Sequence, residues 1–120
     1  MVTTQEFLAL AHARGIKLDP HPTDALYADI SSAIDLVDLA EESGLVILGF
    51  EGFKRDGRWK VPQIDHIADY STDYVGPWEK LVRERASAAR ALLQTWRDTI
   101  DLVDFSLDGL DGERLSNCSE

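Results

Sequence analysis

The chain has 120 residues, of which 44% are hydrophobic and 8% aromatic, and its 22 acidic and 12 basic side chains give a formal net charge of −10. This length suits one small domain whose core buries roughly two-thirds of the surface of the unfolded chain, and it leaves no room for a second domain. An acidic surface repels phosphate backbones, which disfavours nucleic acid as a partner.

The sequence also predicts no membrane span, no signal peptide and no disulfide. No run of about 18 apolar residues occurs, and the N-terminal segment lacks a basic region. Cys118 is the only cysteine. We therefore expect a cytoplasmic protein without a metal centre built on cysteines.

Two helices are predicted in the N-terminal half. Thr3 and Glu6 form a capping-box pattern at the start of a short helix over residues 4 to 14. From residue 24 to residue 43 apolar side chains recur every three or four positions, which predicts a second, longer helix with Thr23 as its N-cap.

The second helix carries a line of carboxylates. Residues 18 to 53 contain eight acidic residues and no lysine or arginine, and residues 98 to 120 form a second acidic block of net charge −6. The line on the helix consists of Asp35, Asp38, Glu41 and Glu42. Because segregated charge creates a directional field, this line is a candidate contact for a basic partner.

A β-hairpin is predicted after the second helix. An apolar, β-branched run is followed by Asp56-Gly57, a pair favoured in type I′ hairpin turns. We therefore predict antiparallel strands over residues 45 to 53 and 58 to 62.

Glu51 is out of pattern in this hairpin, because it interrupts an otherwise apolar strand. The register set by a two-residue turn makes Glu51 a diagonal neighbour of Lys60, which accounts for it structurally. The same register turns Trp59 and Val61 toward the core. The alternative is that Glu51 belongs to a binding surface.

The C-terminal half is predicted to contain a helical turn near residues 65 to 70 and a long helix. Pro77 suits the first position of that helix, whose apolar period continues to about residue 101. Residues 102 to 107 then form a short edge strand or, alternatively, finish the helix.

This order of elements predicts an α+β fold. Two long helices and one short helix pack on a small antiparallel sheet, which consists of the hairpin and a third strand. We expect a single domain over residues 1 to 109 and a flexible, polar and acidic tail over residues 110 to 120.

The sequence contains no nucleophile elbow, zinc-protease motif or phosphate-binding loop, so no enzymatic activity, metal or cofactor is predicted. Asp65, Asp69 and Asp73, with His66 beside them, are candidate metal ligands on one side of a helical turn. A rival hypothesis is a small metal-dependent hydrolase built on Glu51, Asp65, His66 and Asp69. Ordinary cap or turn roles explain the same carboxylates, because paired carboxylates need burial before their pKa values separate.

Three short segments resemble a known class of protein. They are Val46–Phe53, Asp56-Gly57 and Asp65–Ser71. Together they are similar to small bacterial immunity proteins encoded beside colicin-like or contact-dependent toxins. The resemblance implies toxin neutralisation by tight one-to-one binding, without catalysis or a cofactor, and Glu51, Asp65 and Asp69 are the pattern residues that it carries over.

We therefore predict a non-catalytic binding protein, an immunity protein that neutralises a nuclease-like toxin as a monomer or weak homodimer. A compact acidic domain is suited to cover a basic cleft that normally accommodates phosphates. The candidate partner-binding residues are Asp35, Asp38, Glu41, Glu42, Glu51, Asp65 and Asp69. A homo-oligomeric scaffold, held by exposed apolar residues of the sheet, is the other alternative.

Overall fold

The structure, a computed structural model, describes residues 2–18, 27–70 and 76–111. In chain order its elements are β1 (Val2–Thr3), α1 (Thr4–Ala13), β2 (Tyr27–Ala28), α2 (Ile30–Glu42), β3 (Val46–Asp56), β4 (Trp59–Asp69), α3 (Trp78–Thr95), β5 (Leu102–Asp108) and β6 (Leu110–Asp111). The predicted fold class is confirmed, because three helices pack on a four-stranded antiparallel sheet.

The main sheet has the strand order β2-β5-β3-β4 and is antiparallel throughout. The strand predicted over residues 102 to 107 exists as β5, but it is central and not an edge strand, because β2 pairs with its other side. The strands β1 and β6 form a separate parallel pair. The first two residues of the predicted tail therefore belong to the fold, and residues 112–120 lie outside the described residues.

The first helix begins where the sequence predicts. The backbone N–H of Glu6 donates to Thr3 Oγ1, and the backbone N–H of Thr3 donates to Glu6 Oε1, both at 3.0 Å. These two bonds satisfy donors that a helix start leaves unpaired, and they confirm the capping box.

The second helix is shorter than predicted. It begins at Ile30, because the side chain of Asp29 accepts a hydrogen bond of 2.8 Å from the backbone N–H of Ser32 and so forms the N-cap. Tyr27–Ala28, expected in the first turns of this helix, form β2 instead. Thr23, the predicted N-cap, lies outside the described residues.

The third helix also ends before its predicted limit. It begins after Pro77, which is its N-cap, and ends at Thr95 instead of near residue 101. The indole N–H of Trp78 donates to the carbonyl of Gly44 at 2.8 Å and ties the start of this helix to the entrance of β3. No helix within the described ranges is long and apolar enough to cross a membrane.

The hairpin turn is displaced by one residue from its predicted position. Asp56 and Trp59 form the closing pair, so the central residues are Gly57 and Arg58. Gly57 has a φ of +61°, whereas Arg58, like every other described residue that is not glycine, has no positive φ. A positive φ at the first central position alone is typical of a type II′ turn, so the type I′ prediction is wrong.

The displaced turn changes the register of the hairpin. Lys60 lies opposite Arg55, and Glu51 lies opposite Ile67, so the predicted diagonal pair of Glu51 with Lys60 is wrong. Trp59 was predicted to face the core, but 66% of its surface is exposed, so this prediction is wrong. Val61 is also exposed, at 39%.

The segment predicted as a helical turn continues β4 instead. Ala68 lies opposite Phe50 and is buried, so the sheet extends through this segment. The register between β3 and β4 shifts between Glu51 and Phe53, where extra residues of β4 form a bulge. At Gly52, beside the bulge, a Cβ atom would lie 3.0 Å from the Cβ of His66, which explains why a residue without a side chain occupies this position.

The hydrophobic core lies between the helices and one face of the sheet. The ring centroid of Phe50 lies 5.1 Å from that of Trp96 and 5.4 Å from that of Phe105. Phe7 of α1 and Leu93 of α3 belong to the same cluster and are fully buried. All three helices therefore pack on the same face of the sheet, and none of the three covers the opposite face.

Candidate functional site

We call the face of the sheet opposite the helices the outer face. Side chains alternate between the two faces along a strand, so Glu51, which follows the buried Phe50 and is exposed, points to the outer face. Residues directly opposite each other in antiparallel strands share a face. The row that contains Glu51 crosses all four strands and consists of Tyr27, Asp104, Glu51 and Ile67.

Three carboxylates lie close together on the outer face. Glu51 on β3 is directly opposite Asp104 on β5. Asp69 on β4 is opposite Gly49, which makes it a diagonal neighbour of Glu51 at a separation of about 7–8 Å between Cα atoms. We call Glu51, Asp69 and Asp104 the outer carboxylate cluster.

Glu51 is the member of this cluster whose negative charge is not neutralised by another described residue of the chain. Like charges directly opposite each other on neighbouring strands are destabilising. Asp69 and Asp104 each have a further contact. The side chain of Glu51 makes no hydrogen bond or ion pair with any residue in the described ranges. Its negative charge is therefore available to a cation from outside the chain.

The field of the cluster acts on a neighbouring phenol. Burial raises the pKa of Tyr27, and the negative charges of Asp104 and Glu51 raise this pKa further. The Nζ atom of Lys60 lies 5.3 Å from the ring centroid of Tyr27. The cluster thus influences the titration of a residue two strands away from Glu51.

Apolar side chains border the cluster on the outer face. At one end Tyr27, Phe53 and Leu102 form a small buried group, with 5.1 Å between the ring centroids of Tyr27 and Phe53. On the other side Ile67, directly opposite Glu51, is 56% exposed. Protein interfaces combine an apolar core with a polar rim, and exposed Ile67 beside the carboxylates has this arrangement on a small scale.

The acidic line on α2 lies on the other side of the sheet. Arg90 of α3 donates from Nε to Asp38 Oδ1 at 2.7 Å and from Nη2 to Glu41 Oε1. The bond to Glu41, together with that to Asp38, raises the pKa of Arg90. Two of the four predicted carboxylates on this helix are therefore used to join α2 to α3.

A third carboxylate of this line is also paired. Arg14 of α1 donates from Nη1 and Nη2 to the two oxygens of Glu42 at 2.9 and 2.5 Å. The bond lowers the pKa of Glu42 and raises that of Arg14. Asp35 is exposed and makes no such pair with any residue in the described part of the chain. The seven predicted contact residues thus fall into two groups on opposite sides of the sheet.

The structure also changes the arrangement of the predicted metal ligands. Asp65 and Asp69 lie on a strand, where four residues span about 13 Å, and not on one side of a helical turn. The ring of His66 turns toward the helices, with its centroid 5.1 Å from that of Trp96. Asp73 lies outside the described residues. In the ranges that the structure describes, no three residues of ligand type are arranged to hold a metal ion.

Two residues of the site, Asp104 and Arg90, are not among the contact residues predicted from the sequence. The alternation of apolar and polar residues in Leu102–Asp108 is a signal that places Asp104 on an exposed face. Its position opposite Glu51 depends on strand order, which periodicity does not reveal. Arg90 was a plausible surface charge on its own helix, and its pairing with α2 follows only from tertiary packing.

Comparison with known protein families and with curated proteins finds no match for this chain. The function is therefore inferred from the chemistry of the outer face.

Proposed function

We propose that the chain is a non-catalytic binding protein, an immunity protein that neutralises a cognate basic bacterial toxin. The outer carboxylate cluster is the contact surface in this proposal. The observation that carries it is the exposed Glu51, which lies opposite Asp104 and makes no ion pair within the described residues. A cation from a partner would relieve the repulsion between these two carboxylates.

The surroundings of Glu51 favour binding over catalysis. The side chain is exposed on the surface of a strand, and acid–base chemistry generally needs carboxylates in a cleft or desolvated pocket. Exposed Ile67 adds apolar area beside the charge. An interface of this kind excludes water from the ion pair that it forms with the partner.

The overall charge supports the same kind of partner. A net charge of −10 attracts a basic protein over a distance of about one Debye length, roughly 8 Å at physiological salt. The substrate channel of a nuclease is basic because it accommodates phosphates. An acidic domain that covers such a channel inhibits by occupying it, and it needs no chemistry of its own.

The α2 line contributes less than the sequence predicted. Asp38, Glu41 and Glu42 already hold arginines of the same chain, so a partner that bound them would first have to displace Arg90 or Arg14. In our proposal these carboxylates contribute to the long-range field, and the direct contact is centred on Glu51, while Asp69 and Asp104 add negative charge around it. Asp65, exposed further back along β4, extends the acidic surface.

Co-expression with the toxin-like product of an adjacent reading frame tests this proposal. The wild-type chain is expected to protect cells from that product and to retain it in a pull-down at low salt. Glu51→Lys should lose both effects, because it places a positive charge against the basic partner. Glu79→Lys, which reverses an exposed charge in the first turn of α3, is the matched control and should retain both.

Two results would contradict the proposal. One is the absence of a toxin-like reading frame beside the gene, together with no basic protein retained at low salt. The other is protection by Glu51→Lys equal to that by Glu79→Lys. Circular dichroism of both variants distinguishes loss of binding from loss of fold.

A further inference from the structure

The tip of the β-hairpin carries an exposed indole beside a guanidinium group. We call residues 54–61 the hairpin tip, which consists of the end of β3, the turn and the beginning of β4. Trp59 is 66% exposed, and the Cζ atom of Arg58 lies 5.5 Å from the centroid of its ring. This cation–π contact limits the orientations of the indole, whose exposed surface is available to a flat ligand.

Trp59 shares one face of the hairpin tip with a lysine. Lys54 lies opposite Val61, and Asp56 lies opposite Trp59. Phe53 belongs to the small buried group on the outer face. Because side chains alternate along a strand, Lys54 and Asp56 point away from the outer face, together with the residues opposite them. All four side chains are exposed, so this surface is separate from the outer carboxylate cluster.

Two cations of the hairpin tip have no carboxylate partner among the described residues. Lys54 is exposed and makes no hydrogen bond or ion pair with any of them. Arg58 is exposed and contacts the ring of Trp59. Arg55 and Lys60 have other contacts within the chain and are not part of this surface. The surface thus combines an aromatic ring with two cations.

We propose that the hairpin tip binds single-stranded nucleic acid, with one base stacked on Trp59 and the neighbouring phosphates bound by Lys54 and Arg58. Single strands are generally bound by aromatic side chains on which bases stack and by cations that follow the backbone. An acidic peptide would use the cations but lacks a base to stack on the indole, and a double helix keeps its bases stacked inside. The exposed ring therefore favours a single strand over both.

The net charge of −10 disfavours a polyanion as a partner of the whole molecule, but the hairpin tip is partly screened from it. Asp56 lies five residues beyond Glu51 on β3, or about 17 Å, which is roughly two Debye lengths at physiological salt. The carboxylates that oppose a phosphate nearby are Asp56 and Asp101, which accepts a hydrogen bond from the backbone N–H of Arg55 at 2.7 Å. We therefore expect weak binding, with a dissociation constant on the order of 10⁻⁴ M.

The proposed nucleic-acid contact and the proposed toxin contact use different faces, so each is tested without the other. Glu51→Gln removes a negative charge from the outer face and should bind a single strand at least as tightly as the wild type. Trp59→Leu should protect cells from the toxin as the wild type does. Loss of single-strand binding in Glu51→Gln would contradict the separation of the two surfaces.

A nuclear magnetic resonance titration of the full chain with an oligothymidylate of about ten nucleotides, in about 0.1 M salt, tests the proposal. The chain contains three tryptophans, so the indole N–H signals of Trp78 and Trp96 are internal controls. We expect the Trp59 signal to shift until it saturates and the other two to stay in place. An unchanged Trp59 signal at millimolar oligothymidylate, or the same shift with oligoglutamate of similar length, would overturn the proposal.

Substitutions in the hairpin tip separate stacking from charge, when binding is followed through the backbone N–H signals. Trp59→Leu keeps an apolar side chain without the ring and should weaken binding at least about fivefold, whereas Trp59→Phe should weaken it less. Lys54→Gln should lower the slope of log affinity against log salt by about 0.7. Arg83→Gln, which removes an exposed cation of α3, is the matched control and should bind like the wild type. Equal affinities of Trp59→Leu and the wild type contradict base stacking.

Discussion

Glu51 illustrates how a single residue is explained by its neighbours in space and not by its neighbours in sequence. Its position in an apolar run marked it as unusual, and an ion pair with Lys60 was the simplest structural account. In the structure the hairpin turn lies one residue further along the chain than predicted, and the strand register differs accordingly. Glu51 therefore lies between Asp104 and Ile67. A residue that the fold does not compensate is thereby a stronger candidate for binding.

The placement of Glu51 predicts a change in the titration of Tyr27. Glu51→Gln removes one of the two negative charges that raise the pKa of this phenol, so the pKa should decrease. It should stay above its ordinary value of 10.0, because burial and Asp104 still raise it. Nuclear magnetic resonance of isotope-labelled tyrosine rings, assigned with Tyr27→Phe, measures this pKa. Glu79→Gln is the control, and an unchanged pKa in Glu51→Gln would contradict the proximity of the two residues.

Among the elements, those with a strong local signal were predictable. The capping box of Thr3 and Glu6 defines the start of α1, and the alternation in residues 102 to 107 defines β5. The strand β2 was not predictable, because Tyr27–Ala28 continue the helical period of the residues that follow. Only the pairing of this short segment with β5 decides its conformation, and such pairing is a tertiary effect.

The prediction of a helical turn at the end of β4 was wrong for a related reason. Mixed polar and apolar residues with aspartates among them are typical of a turn, and the sequence from Pro62 to Asp69, with two aspartates, has this composition. In the structure Ala68 fills a core position opposite Phe50, which keeps the segment extended. The candidate site on the outer face depends on this extension, so its position was beyond the reach of local patterns.

The contact between α1 and α2 predicts a pH dependence of stability. Arg14 holds the pKa of Glu42 below its ordinary value of 4.5, so the folded chain binds this proton less readily than the unfolded chain. The stabilisation is therefore present above about pH 4.5 and is lost as the pH falls through the folded pKa. Arg14→Gln should be less stable than the wild type at neutral pH, and this difference should shrink as the solution is acidified.

Urea unfolding of both proteins over a series of pH values measures this difference. Lys17→Gln, which removes an exposed positive charge just beyond α1, is the control and should follow the wild type. Glu6, whose pKa is also lowered by its bonds to Thr3, retains its own acid dependence in every variant. A difference between Arg14→Gln and the wild type that is constant with pH would contradict the role of this ion pair.

At the scale of the whole molecule, the helices and the sheet divide the charge between two sides. On the helical side arginines neutralise much of the acidic line, and this joins α1, α2 and α3 together. On the outer face the carboxylates lie beside exposed apolar residues, and Glu51 is not neutralised by any described residue. Among the described residues, the acidic side chains thus divide into a group that supports the fold and a group on the outer face around Glu51.

The association rate with the proposed basic partner tests this division most directly. It should be measured by stopped-flow mixing over a range of salt concentrations for the wild type, Glu51→Gln and Asp35→Asn, which each remove one exposed negative charge. We predict that Glu51→Gln binds more slowly and dissociates faster than Asp35→Asn, because it removes a contact as well as part of the field. Equal association and dissociation rates for the two variants would contradict the assignment of the outer face as the binding surface.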